Sequence, residues 1–211
     1  MTLPTGSSWS ALGQALRVPY EAPQGRRINV IGAYFSHGLE VGRLEFASYA
    51  TLPKTTAKRQ RKTTQEMAAV HGVEPATLGP IDSERFVAFV WRLAGRPPVA
   101  LVGWRRVRPL VIVLDNYSVH KSLVVRMALP ALAAANVVLF YLPAYSPELS
   151  KIEPIWRSVK GHGMPSRSQM VLGQMKRAVD EALLDKAQQL RQEQRKKQDQ
   201  NKTTNFQCSA A

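Results

Sequence analysis

Acidic residues are scarce in this chain: 15 Asp and Glu stand against 29 Lys and Arg, a formal net charge of +14 over 211 residues. Such an excess selects polyanionic partners, nucleic acid before a membrane surface. Cysteine is almost missing too. Cys208 stands alone, so no internal disulfide can form and a reducing cytoplasm is the expected setting. Long apolar runs are also lacking. Nothing approaches the roughly 20 residues of a membrane-spanning helix, and "MTLPTGSSWSALGQ" has neither the basic start nor the apolar stretch of a secretion signal. These shortages point away from a membrane protein and from a disulfide-stapled secreted domain. What is present is 45% hydrophobic residues, ordinary for a globular chain of about one domain that can bury a real core.

The positive charge is clustered. "KTTAKRQRK" (54–62) carries Lys54, Lys58, Arg59, Arg61 and Lys62 with no acid among them; Arg105, Arg106 and Arg108 form a second group, and "RQEQRKK" (191–197) a third. Each could be a solvated face, but the first is the leading phosphate contact, because it lies in a Thr-rich connection outside any apolar periodicity.

The apolar pattern outlines the elements. Residues 1–25 are rich in Gly, Pro and Ser and read as loop, with a short strand near Leu16–Tyr20. "RRINVIGAYF" (26–35) and "RLEFASYA" (43–50) are β-rich, joined by a connection whose Gly38 and Gly42 suit a hairpin. Residues 63–80 are helix-like, then loop. "DSERFVAFVWRLAG" offers an N-cap at Asp82 or Ser83, an apolar face of Phe86, Phe89, Val90 and Leu93, and a stop at Gly95. "PLVIVLD" reads as a buried strand, and "SVHKSLVVRMALPALAAAN" as a helix kinked or broken at Pro130. "VVLFYLP" (137–143) is a second all-apolar strand, "SKIEPIWRSVKG" a short helix, and 168–197 a long helix that turns wholly polar. All-apolar strands alternating with helices predict an α/β fold whose parallel strands are covered on both faces, with the earlier antiparallel pair in the same sheet.

Within "RPLVIVLDNYSVH" (108–120), five apolar residues run into Asp115 and Asn116, with His120 five residues past the aspartate. In open α/β sheets, sites form beyond the carboxyl ends of parallel strands. Asp115 and the loop after Leu142 should therefore lie side by side. That loop, "LPAYSPELSKIEPIW" (142–156), leads through Pro143, Pro147 and Pro154 to Glu153 at a helix start, with Trp156 free to pack inward. Two carboxylates so placed can bind Mg²⁺ or Mn²⁺, and a two-metal site can activate a water or a 3′-hydroxyl at a phosphodiester. Spacing alone equally allows Asp115 to cap the following helix and Glu153 to sit in the first turn of its own.

"VLDNYSVHKS" followed by "FYLPAYSPELSKIEPIWRSVKG" resembles the bacterial insertion-sequence branch of the mariner-like DDE transposases. That pattern is a strand ending in Asp-Asn-x-x-x-His, then Leu-Pro-x-Tyr-Ser-Pro-Asp-Leu-Asn-Pro-Ile-Glu-x-x-Trp-x-x-x-Lys. The similarity extends over about residues 1–185. It implies a ribonuclease H-like mixed sheet flanked by helices and a divalent-metal enzyme that cleaves DNA and transfers strands. By position, Asp115 is the second catalytic acid and Glu153 the third, both metal ligands, while Asn116, His120, Trp156 and Lys160 fall at supporting or DNA-facing positions. The implied partners are transposon terminal inverted repeats and target DNA. A homodimer stays open for the intact family, and in a bacterial cytoplasm the protein would associate with the nucleoid when bound to DNA.

The departures are specific. "ELSKIEP" replaces "DLNPIEP" and makes Glu148 the competitor of Glu153. The family's first acid lies on its first, central strand, just before the loop that "LPTGSSWSALGQALRVPYEAPQG" resembles, and the chain begins inside that loop. Before Asp115 the one aspartate is Asp82, which capping explains; Glu21, Glu40, Glu45, Glu66, Glu74 and Glu84 sit at none of the expected positions. The family's N-terminal helix-turn-helix region is missing as well. The expectation is a truncated reading frame: a partial catalytic domain over 1–165, a C-terminal helix over 166–197 and a disordered tail over 198–211. Its activity should be lost with the first acid. Two alternatives stand beside it, a non-catalytic DNA-binding remnant and a divergent ribonuclease H-like nuclease.

Overall fold

The computed structural model describes residues 27–52, 63–99, 103–144, 146–163 and 171–208. The strand expected at Leu16–Tyr20 and the basic stretch 54–62 lie outside them. The described residues fall into two compact units, one drawn from the spans 1–30, 48–80 and 155–211, the other from 31–47 and 81–154. The fold class is the mixed α/β one that the sequence predicts, with both antiparallel and parallel pairing.

Strands β1 (Arg27–Tyr34) and β2 (Leu44–Thr51) form the expected hairpin. At its turn the Phe35 N–H donates to the Arg43 carbonyl and the Gly42 N–H to the Phe35 carbonyl, both at 2.9 Å. Gly38 and Gly42 take φ of 81° and 87°, the left-handed region that a side chain resists.

In the unit containing 81–154, helix α2 (Ser83–Ala94) begins where the Asp82 carboxylate accepts the Arg85 N–H at 2.8 Å and ends at Gly95, φ 73°. Its apolar stripe of Phe86, Phe89, Val90 and Leu93 is buried as the periodicity predicts. Strands β3 (Leu110–Leu114) and β4 (Val137–Tyr141) pair in parallel, from Leu110 against Val137 to Leu114 against Tyr141. Between them runs α3 (Leu123–Ala134), capped by the Ser122 hydroxyl on the Val125 N–H. Pro130 does not break α3, which continues through it to Ala134. A tight link follows, in which Asn136 takes φ 59° and its side-chain amide donates to the Arg106 carbonyl at 2.7 Å. Phe86, Val90, Leu114, Val125, Leu132 and Val137 make the core, with Ile31 of β1 packed against it.

Two expectations are corrected here. The parallel strands are not covered on both faces: Val111, Val113, Val138 and Phe140 stand about half exposed, while Leu114 and Val137 are buried. A run in which every residue is apolar hides the two-residue alternation of a strand, so one-sided burial leaves no trace in the sequence. Nor do the four strands join one sheet; among the described residues the hairpin and the β3–β4 pair are separate two-stranded sheets.

In the other unit, α1 (Thr64–His71) opens with a reciprocal capping box between Thr63 and Glu66 and closes on Gly72 at φ 63°. Helix α4 (Glu153–Ser158), which belongs to this unit from Ile155 onward, passes into a wide turn, Val159–Gly163. Ile155 and Val159 are its buried anchors, and Trp156, expected to pack inward, is only half-buried. Helix α5 (Leu172–Cys208) buries Leu172, Val179, Leu183 and Ala187. On it the Asp180 carboxylate receives both the buried Ser48 hydroxyl and the Lys176 ammonium, the latter at 2.7 Å. The tail expected to be disordered from 198 is helical as far as Cys208. Gln, Lys, Arg and Glu are good helix formers and carry the helix past its last apolar contact. Among the described residues no helix is long and apolar enough to cross a membrane.

Candidate active site at the carboxyl end of β3

The parallel register fixes what meets beyond the strands. Leu114 and Tyr141 are partners, and the ladder runs one step further, the Leu142 N–H donating to the Leu114 carbonyl at 2.8 Å. The side-chain amide of Asn116 then donates to the Leu142 carbonyl at 2.6 Å. Asp115 and the loop after Leu142 thus lie side by side.

Asp115 is not a helix cap, since Ser122 caps α3. Its Oδ1 accepts the Tyr117 N–H at 3.1 Å and faces His120 Nδ1 at 2.9 Å. The same Nδ1 lies 3.3 Å from the Asp115 carbonyl oxygen. The carboxylate side chain is 68% exposed, the imidazole only 17%. The ring is held from two sides, by Phe86 of α2 with centroids 4.5 Å apart and by Tyr117 edge-on at 5.8 Å. From β4, the Tyr141 hydroxyl donates to the His120 carbonyl at 2.7 Å, and burial raises the Tyr141 phenol above its ordinary pKa. A neutral phenol is the form that donates that bond.

The other residues singled out by sequence are distributed as follows. Glu153 stands exposed in the first turn of α4, its N–H on the Ser150 carbonyl at 3.2 Å. Glu148 is exposed in the short turn Pro147–Leu149, and Lys160 in the wide turn after α4. Arg105 and Arg108 are exposed. Arg106 is engaged: its guanidinium donates to the Ala94 carbonyl at 2.5 Å and the Arg108 carbonyl at 3.2 Å. Lys54, Lys58, Arg59, Arg61 and Lys62 lie outside the described residues. The sequence marks Phe86 only as a core residue of its helix and gives no sign of Tyr117 or Tyr141 at this site. Only the register of β3 against β4 could have brought Tyr141 forward, and that register is invisible before folding.

Among the described residues no group of three or more His, Cys, Asp and Glu could hold a metal ion. The donors present are carboxylate oxygens. They fit a hard divalent ion that keeps most of its waters, and do not make a closed protein cage.

No curated protein matches the chain. The family model described as DDE superfamily endonuclease matches residues 51–176, the span holding α1 through α4, both parallel strands and the Asp115 turn. DNA is the substrate of that family, and its members generally use divalent metals. On this match over more than half of its length, the chain belongs to the DDE superfamily endonucleases.

Proposed function

We propose that this protein derives from a transposase of the mariner-like, insertion-sequence branch, acting on terminal inverted repeats, with Asp115 and Glu153 as two of its catalytic acids. The observation that carries the reading is the exposed carboxylate of Asp115 immediately past a parallel strand, tied to the loop that leads to Glu153. Asp115 and Glu153 would hold Mg²⁺ or Mn²⁺. Bound there, the ion would activate a water or 3′-hydroxyl and stabilise the leaving oxygen. Asn116 ties the Asp115 turn to the β4 end, and Lys160, exposed and cationic, is available to a phosphate.

These 211 residues supply two acids at the matched positions, where the resembled site uses three. Losing about 4 kcal/mol of transition-state stabilisation already slows a reaction roughly a thousandfold. Cleavage of terminal-repeat DNA by this chain with Mn²⁺ should therefore stay at background, and Asp115→Asn should change nothing. Metal-dependent cleavage that Asp115→Asn abolishes would overturn the inactive reading and identify a divergent nuclease. Background cleavage together with salt-dependent DNA binding would support a binding remnant.

A further inference from the structure

We propose that His120 is a positioning residue for Asp115: its Nδ1–H pins one carboxylate oxygen and leaves the other to a divalent cation. The inference rests on the reading of Asp115 as a metal ligand and deepens it.

The polarity of the pair follows from its atoms. Nδ1 of His120 faces Asp115 Oδ1 at 2.9 Å and the Asp115 carbonyl oxygen at 3.3 Å. A carboxylate and a carbonyl can only accept, so Nδ1 carries a proton in either charge state of the ring. Oδ1 thus takes two donors, the imidazole and the Tyr117 N–H at 3.1 Å. No bond to Oδ2 is seen among the described residues, and the side chain is 68% exposed. An exposed aspartate would ordinarily sample several rotamers. Here one oxygen is fixed by two donors and the carboxylate plane is set before any ion arrives.

The imidazole is in turn built into the fold. Phe86 lies against one side of it and Tyr117 meets it edge-on. The Tyr141 hydroxyl holds the turn at the His120 carbonyl with a 2.7 Å bond. Three elements, α2, the Ser118–Lys121 turn and β4, therefore converge on one hydrogen bond to Asp115. Outer partners of this kind change metal affinity by about 10- to 100-fold when removed.

The test measures Mn²⁺ affinity of the full 211-residue chain by electron paramagnetic resonance, beside the ¹⁵N signals of the His120 ring. Asp115→Asn should abolish the site. His120→Ala should weaken it about tenfold, and His120→Asn, whose amide nitrogen can stand near Nδ1, should recover most of the loss. In the unsubstituted chain Nδ1 should be the protonated nitrogen at pH 8. Unaltered affinity in His120→Ala overturns the inference while leaving Asp115 as ligand. Loss in His120→Asn equal to that in His120→Ala also overturns it, because the ring would then act as a ligand itself. Unaltered affinity in Asp115→Asn defeats the metal-ligand reading as well. Thermal unfolding of each variant separates these outcomes from misfolding, and His120→Asn supplies the measurement if His120→Ala does not fold.

Discussion

A single hydrogen atom matters at Gly173. A Cβ built there would stand 2.3 Å from the Gly72 carbonyl oxygen and 2.8 Å from that of His71. Both are backbone atoms at the end of α1, which cannot swing aside as a side-chain tip could. Helix propensity favours Ala over Gly by about 1 kcal/mol, yet overlap this close outweighs it. Gly173→Ala should cost about 1–3 kcal/mol in urea unfolding. Gly161, whose Cβ would meet nothing within 4 Å, is the control, and Gly161→Ala should cost nothing. None of this is legible in "VLGQM". By contrast, the Asp115, Asn116 and His120 spacing was readable because the three residues meet within one short turn. Phe86 comes to the His120 ring and Tyr141 to the His120 carbonyl from other elements, so only the fold discloses them.

At the scale of the element, α2 was the most legible and the parallel strands the least. Helix α2 mixes charged and apolar residues at helical spacing, and both caps are written in the chain as Asp82 and Gly95. In β3 and β4 every residue but the terminal Tyr141 is purely apolar, so the sequence cannot say which face packs. The structure turns Val137 inward at 1% exposure and Val113 outward at 53%. The two valines allow one chemical change to be made on opposite faces. Val137→Thr buries a hydroxyl in the core and should cost about 1–3 kcal/mol. Val113→Thr keeps the hydroxyl in reach of water and should stay within about 0.5 kcal/mol. Denaturant unfolding of the pair decides it, and equal losses would mean that both faces are covered in solution. The end of α5 was misread for a different reason. A polar, charged stretch satisfies the composition of a disordered tail and the propensities of a helix alike, and local propensity prevails as far as Cys208.

For the whole molecule, the surplus of positive charge is the property that the sequence stated most directly, and DNA binding is where it should be felt. Each phosphate neutralised by a Lys or Arg releases condensed counterions, which steepens log K against log salt by about 0.9 per contact on duplex DNA. Replacing Lys58, Arg59, Arg61 and Lys62 together by Ala should therefore flatten the slope by about 3 to 4 if all four touch phosphates. The second basic group divides once the contacts are known. Arg105 and Arg108 are exposed and free to reach a backbone, whereas Arg106 closes the loop between α2 and β3 through the Ala94 and Arg108 carbonyls. Arg106→Ala should then lower stability and leave the salt slope as it was, while Arg105→Ala with Arg108→Ala should do the reverse. Fluorescence anisotropy titrations of labelled duplex from low to high salt, beside unfolding curves, measure both quantities on the same proteins. An unaltered slope in the fourfold variant would move the footprint to Arg105 and Arg108. A flatter slope in Arg106→Ala at unaltered stability would show that its two carbonyl bonds give way to phosphate.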